Sequence, residues 1–177
     1  MAALIEAARA PDAPFEIVLV LSNRPDAAGL AHARAADVPT VVVDHLLYAK
    51  DREAHERAVD QVLTAHDVQV VALAGYMRLL TPWLVRRWES RMLNIHPSLL
   101  PLYPGLDTHA RALASGDVEA GCTVHLVTEG VDEGPILAQA RVPVVPGDTP
   151  QSLADRVLDA EHRLYPEALA AFCRQRA

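Results

Sequence analysis

FEIVLVLSNRPDAAGLAHARAADVPTVVVD, residues 15–44, is a strand, a helix and a second strand in succession. FEIVLVLSN (15–23) is a nearly continuous apolar run with β-branched members, bounded by Pro14 and Pro25. That is the pattern of a strand buried on both faces. Asp26 stands where it can cap a helix through about Ala36, and TVVVD (40–44) is the next strand. The alternation continues on both sides of this unit. MAALIEAARA (1–10) is a short helix of good helix formers. A charged helix follows over roughly Arg52–His66, and VQVVALAG (68–75) is a third buried strand. Strands and helices alternating at these lengths predict an α/β domain with a parallel, doubly wound sheet.

The second half changes character. MLNIHP (92–97) is a short strand, and Asp107–Ser115 suits a helix. CTVHLVT (122–128) and PILAQARVPV (135–144) are two strands joined by EGVDEG, the spacing of an antiparallel hairpin. Thr149 caps a last helix through about Phe172, with Pro150 at its first position.

Bulk properties narrow the function classes. The chain has 177 residues and is 51 % hydrophobic, enough for one compact domain spanning 1–177. No apolar run approaches the roughly 20 residues that cross a bilayer, and no signal peptide opens the chain. Cys122 and Cys173 are the only cysteines and have no metal-ligand spacing, which predicts a reduced, cytoplasmic protein. A net charge of −7 without charged blocks argues against nucleic-acid or membrane partners.

Asn94 and His96 are two apart, so an extended backbone points both to one side. Pro97 holds His96 in extended geometry, while Pro101 and Pro104 stiffen the following loop and Leu99 and Leu100 anchor it. The carboxyl ends of strands are where open α/β sheets bind ligands. The same pattern also fits a strand ending in a hydrogen-bonded structural histidine. Asp132, flanked by Gly130 and Gly134, reads alone as an exposed acid on a hairpin turn, and Arg78 as a solvated arginine. Thr123 and His125 share a face of CTVHLVT, where a satisfied core histidine is the simpler reading. His96, His109 and His125 lack chelating spacing, so no metal is expected. No GxGxxG is present, and Ser22-Asn23 stands where a dinucleotide site would need an acid.

Together GYMRLLTP, MLNIHPSLLPLYPGL-TH, GCTVH-VTE-VDEGPILAQ and AEHRLYP resemble the phosphoribosylglycinamide formyltransferases, folate-dependent enzymes of purine synthesis. The similarity runs from Met1 to about Phe172. It implies a formyltransferase-type, Rossmann-like fold with a mostly parallel sheet, flanking helices and an antiparallel hairpin. It implies 10-formyltetrahydrofolate as co-substrate, 5-phosphoribosylglycinamide as acceptor, no metal, and a monomer or homodimer. Asn94, His96 and Asp132 would be the catalytic set. Arg52, Met77, Arg78, Leu79 and Leu80, with Asn94, Gly130, Val131 and Asp132, would line the folate site, and Glu161 would hold the substrate ribose. Other formyltransferases or formyltetrahydrofolate hydrolases, and a folate-binding product with little activity, are the rival readings.

Two departures stand out. In the family a strand ending in SG-x-GSN precedes the first helix and cradles the substrate phosphate; here Met1 sits where that loop would finish. The domain is therefore expected to be N-terminally incomplete, with its first strand missing and the functional start about a dozen residues upstream. Leu158 also replaces the Gln or Lys often found near the phosphate.

The resemblance explains the pairing of amide and imidazole. Amine attack on the formyl carbon builds charge on the formyl oxygen, and donors placed there bind the transition state better than the ground state. Asn94 would donate an N–H, and His96, charged with help from Asp132, would add a cation and relay protons.

Overall fold

The computed structural model describes residues 1–176. In chain order the elements are α1 (Ala2–Ala7), β1 (Val20–Ser22), α2 (Ala28–Ala35), β2 (Thr40–Val42), a 3-10 turn (His45–Tyr48), α3 (Arg52–Ala65) and β3 (Val71–Leu73). Then come α4 (Pro82–Arg87), β4 (Met92–His96), α5 (Thr108–Ser115), β5 (Glu119–Leu126), β6 (Ile136–Pro143) and α6 (Pro150–Arg174).

Pairing is parallel for β1–β2 and β3–β4, and antiparallel for β4–β5 and β5–β6. The strands form a two-stranded ladder, β1-β2, and a four-stranded sheet, β3-β4-β5-β6. Leu19, Leu21, Val71 and Leu73 pack around one apolar cluster, yet no ladder joins β1 to β3.

This corrects the expected strand lengths. FEIVLVLSN and VQVVALAG pair over three residues each, and β1, β2 and β3 are half-buried along their length. Apolar sequence sets the extended conformation, but a ladder needs a neighbour with free N–H and C=O groups.

Helix ends follow their caps. Asp51 accepts from Ala54 N at 2.9 Å and starts α3. Thr149 and Ser152 form a capping box on α6, with Pro150 in the first turn. Asp26 does not cap α2, which begins after Ala27. Its carboxylate is taken by Arg24, through Nε at 2.9 Å and Nη2 at 2.6 Å.

The long helix α6 packs across the four-stranded sheet. Leu4, Leu93, Val124, Tyr165, Ala168, Leu169 and Phe172 make one core cluster, and Cys122, Val142, Leu153 and Val157 belong to another. The Tyr165 hydroxyl reaches Leu73 O at 2.9 Å and Leu93 O at 3.2 Å, fastening the helix to β3 and β4 just beneath Asn94. A Cβ at Gly121 would overlap the Ala140 carbonyl oxygen and the Leu99 side chain. Glycine there lets β5, β6 and the loop after β4 close together.

Candidate active site

β4 presents its residues alternately. Leu93 and Ile95 face the cluster under α6, whereas Asn94 and His96 lie on the opposite face. In the antiparallel register Asn94 stands across from His125, and His96 across from Thr123.

Pro97 ends the strand, and the next loop is pinned from below. The buried Thr123 hydroxyl donates to Ser98 O at 2.6 Å and accepts from Leu100 N at 3.0 Å and Gln139 Nε2 at 2.9 Å. Ser98 Oγ donates to Leu102 O at 2.6 Å. Leu99 and Leu100 are buried, as their anchoring role requires. The loop then turns back over the strand end.

His96 has an acceptor on each side. Nε2 lies 2.9 Å from Tyr103 O, and Nδ1 lies 3.3 Å from Asp132 Oδ2. Tyr103 O only accepts, so Nε2 donates to it, and the Asp132 carboxylate faces the other ring nitrogen. Asp132 Oδ2 also accepts from Gly105 N at 2.9 Å, while Oδ1 lies 3.6 Å from His125 Nε2. The side chains of His96 and Asp132 are only 7 % and 12 % exposed, which strengthens their electrostatic interaction.

The tip of the β5–β6 connection makes this approach possible. Asp132 takes a left-handed backbone conformation, with φ 57°, which Asp tolerates better than most residues. A Cβ at Gly134 would overlap Leu126 O, so the chain passes β5 there only as glycine. Arg86 on α4 holds Glu129 at 2.8 Å, tying the start of the connection to the helix after the 75–81 loop.

That 75–81 loop carries several of the expected folate-site residues. Met77 and Leu79 are 77 % and 63 % exposed, large values for apolar side chains, and Val131 on the hairpin tip is 50 % exposed. Arg78 is half-buried, and Leu80 packs into the cluster beneath. Arg52 Nη1 donates to Leu79 O at 3.4 Å. The buried Glu56 carboxylate accepts from Thr81 N at 2.9 Å and from the Thr81 hydroxyl. Gly130 and Val131 make no hydrogen bond to the 75–81 loop among the described residues.

Glu161 lies apart from His96 and Asp132. It lines a pocket of about 230 Å³ on the α6 side of β4 with Gly75, Ile95, Leu158, His162 and Tyr165. Burial pushes its carboxyl up to about 7, against the opposing pull of the Met1 amine. A carboxyl whose folded value lies above its unfolded value of 4.5 favours folding in its neutral form, and that advantage is lost as pH rises toward 7. Glu161→Gln should therefore match the native melting temperature near pH 4, rise above it beyond pH 4.5, and level off past pH 7. Melting curves from pH 4 to 8 check this; a constant offset would contradict it.

His125 is more than the satisfied core histidine that its strand pattern suggests. It is 2 % exposed, as a core histidine would be, but its ring touches Asn94 as well as approaching Asp132. The cross-strand register that brings it there has no signature in the GCTVH motif. His109 Nε2 is buried without a protein partner in a small cavity with Ser98, Tyr103, Thr108 and Asp117. Burial and the nearby His96 lower its pKa. Among the described residues no three His, Cys, Asp or Glu side chains are grouped to hold a metal ion, and no helix is long and apolar enough to cross a membrane.

The formyl transferase family model matches residues 1–169. Phosphoribosylglycinamide formyltransferase of Escherichia coli (strain K12) is 43 % identical over 173 residues, covering 96 % of this chain and 80 % of that protein. The chain belongs to the phosphoribosylglycinamide formyltransferase family. The crystal structure of the Brucella melitensis phosphoribosylglycinamide formyltransferase superposes with a TM-score of 0.93 at 57 % identity, covering 98 % of this chain and 88 % of that one. The trifunctional purine biosynthetic protein adenosine-3 of Bos taurus is 47 % identical over 167 residues, which are 94 % of this chain but 16 % of that protein. The family is one of formyltransferases in purine biosynthesis, and its fold is the mixed α/β arrangement described above.

Proposed function

We propose that the chain transfers the formyl group of 10-formyltetrahydrofolate to the amine of 5-phosphoribosylglycinamide, with Asn94, His96 and Asp132 as its catalytic groups. The observation that carries this reading is the 3.3 Å approach of Asp132 to His96 at the end of the strand bearing Asn94. A largely shielded carboxylate, an imidazole and a neutral amide converge where a substrate carbonyl can meet them.

In the reaction, the amine nitrogen bonds to the formyl carbon and the carbon–N10 bond breaks. The proton lost by the amine ends on N10 of the departing folate. Charge collects on the formyl oxygen in between. Asn94 donates a neutral N–H to that oxygen, and the His96–Asp132 pair, neutral overall, turns its imidazolium end toward it. With Nε2 directed at Tyr103 O, His96 acts through its field rather than as a hydrogen-bond donor to substrate.

The folate ring system is assigned to the 75–81 loop and the hairpin tip, where exposed Met77, Leu79 and Val131 offer apolar contact and Arg52 a cation at the rim. Glu161 is assigned to the ribose hydroxyls. Its pocket includes Ile95, between Asn94 and His96, so an acceptor seated there reaches the catalytic face by crossing the end of β4. Leu158, 46 % exposed at the same pocket, gives a phosphate no hydrogen bond from its side chain.

A formyl-acceptor assay with 10-formyltetrahydrofolate tests the proposal. Formyl transfer to glycinamide ribonucleotide, without comparable formate release or aminoacyl-tRNA formylation, is the expected result. Formate as the main product would assign the chain to hydrolysis instead.

A further inference from the structure

Asn94 can serve an oxyanion only if its amide turns the nitrogen, and not the oxygen, toward the reacting carbonyl. An amide is nearly symmetric in shape, so something must choose between the two orientations. His125 stands directly across the ladder from Asn94, with Nε2 3.2 Å from Asn94 Nδ2. Its other nitrogen, Nδ1, lies 2.9 Å from Leu126 O. A carbonyl only accepts, so Nδ1 carries the proton, and a neutral ring then offers a lone pair at Nε2.

We infer that His125 is a positioning residue: as the Nδ1–H tautomer it accepts one N–H from Asn94 and so fixes the amide with its second N–H free for the substrate. Flipping the amide would set Asn94 Oδ1 against the Nε2 lone pair. The second N–H and Oδ1 of Asn94 have no hydrogen-bond partner among the described residues. The inference rests on the oxyanion role proposed above for Asn94.

Three further features agree. The charged groups that face the ring are Asp132 from the hairpin tip and His96 from β4. Burial pushes the His125 imidazole below its ordinary value, outweighing the Leu126 carbonyl and Asp132, which favour the cation. The neutral form is thus the working form at neutral pH. The 3.6 Å gap from Nε2 to Asp132 Oδ1 is too long for a hydrogen bond, as a lone pair facing a carboxylate requires. Finally, the β5–β6 ladder shifts register at His125, which pairs with Ile136 while Leu137 is skipped. Such irregularities re-aim side chains next to active sites.

A double-mutant cycle tests the inference. His125→Phe, which keeps bulk but cannot accept a hydrogen bond, should lower kcat by about 10- to 100-fold, with each KM within about threefold of native. His125→Gln, whose carbonyl can accept the same N–H, should recover part of the loss. In an Asn94→Ala background, His125→Phe should cost less than about twofold more. If the Phe variant does not fold, the cycle is read with His125→Leu, which likewise cannot accept a hydrogen bond. A full further loss in the Asn94→Ala background, or a native kcat with only a lowered melting temperature, would overturn the positioning role. A native kcat in Asn94→Ala itself would remove the oxyanion reading and this inference together. A severe Asn94→Ala with a mild His125→Phe would remove this inference alone.

Discussion

Asp132→Asn is expected to lower kcat on the order of 10²–10³-fold while each KM stays within about threefold of native. The substitution keeps the size of the side chain and an oxygen to accept from Gly105 N, so the hairpin tip stays in place. What it removes is the negative charge 3.3 Å from His96 Nδ1. Without that charge the oxygen that accepts from Gly105 N still faces His96 Nδ1, but as a neutral amide carbonyl instead of a carboxylate, and the electrostatic support of the ring is lost. The loss falls on the step in which charge develops, because substrate contacts assigned to the 75–81 loop and to Glu161 are untouched. Steady-state kinetics on a variant with a native melting curve are the check. A raised KM with kcat intact would make Asp132 a binding residue.

Much of this arrangement is legible in the sequence, and the reasons differ by element. β4 and the β5–β6 hairpin are plain because a short apolar run with Asn94 and His96 on one face, and two runs around EGVDEG, leave few alternatives. The nearness of Asp132 to His96 is not legible in the same way, because Asp132 alone reads as an exposed acid on a turn and only the family resemblance groups it with His96. Strand lengths in the first half are not legible, since Phe15–Leu19 is as apolar as the residues that pair and only the neighbouring backbone decides where a ladder forms. The start of α2 is not legible because Asp26 has a stronger partner in Arg24 than in the helix N–H groups. α4 and the 3-10 turn are too short to show a period. His125 was hidden for another reason: its role depends on which strand lies opposite and in what register, which no local pattern encodes.

Asn94→Leu carries the second large effect, an expected fall in kcat on the order of 10²–10³-fold. The side chains are close in size, and Asn94 is only partly buried, so folding should survive the change. The N–H aimed at the formyl oxygen is lost, and His125 Nε2 loses its donor. Because the interaction strengthens as the carbonyl becomes an oxyanion, the loss should appear in kcat more than in the affinity for either substrate. An unchanged kcat would remove Asn94 from the oxyanion site.

The most direct test of the whole account is the affinity of a stable tetrahedral adduct joining a folate analogue to glycinamide ribonucleotide, measured by calorimetry on the native chain and on Asn94→Leu. The account predicts that the adduct loses affinity in the variant by about the factor lost in kcat/KM, while an unreactive folate with no tetrahedral centre binds both proteins alike. Equal affinity of the adduct for the two proteins would contradict it, for the amide would then contribute nothing at the point where the reaction gathers its charge.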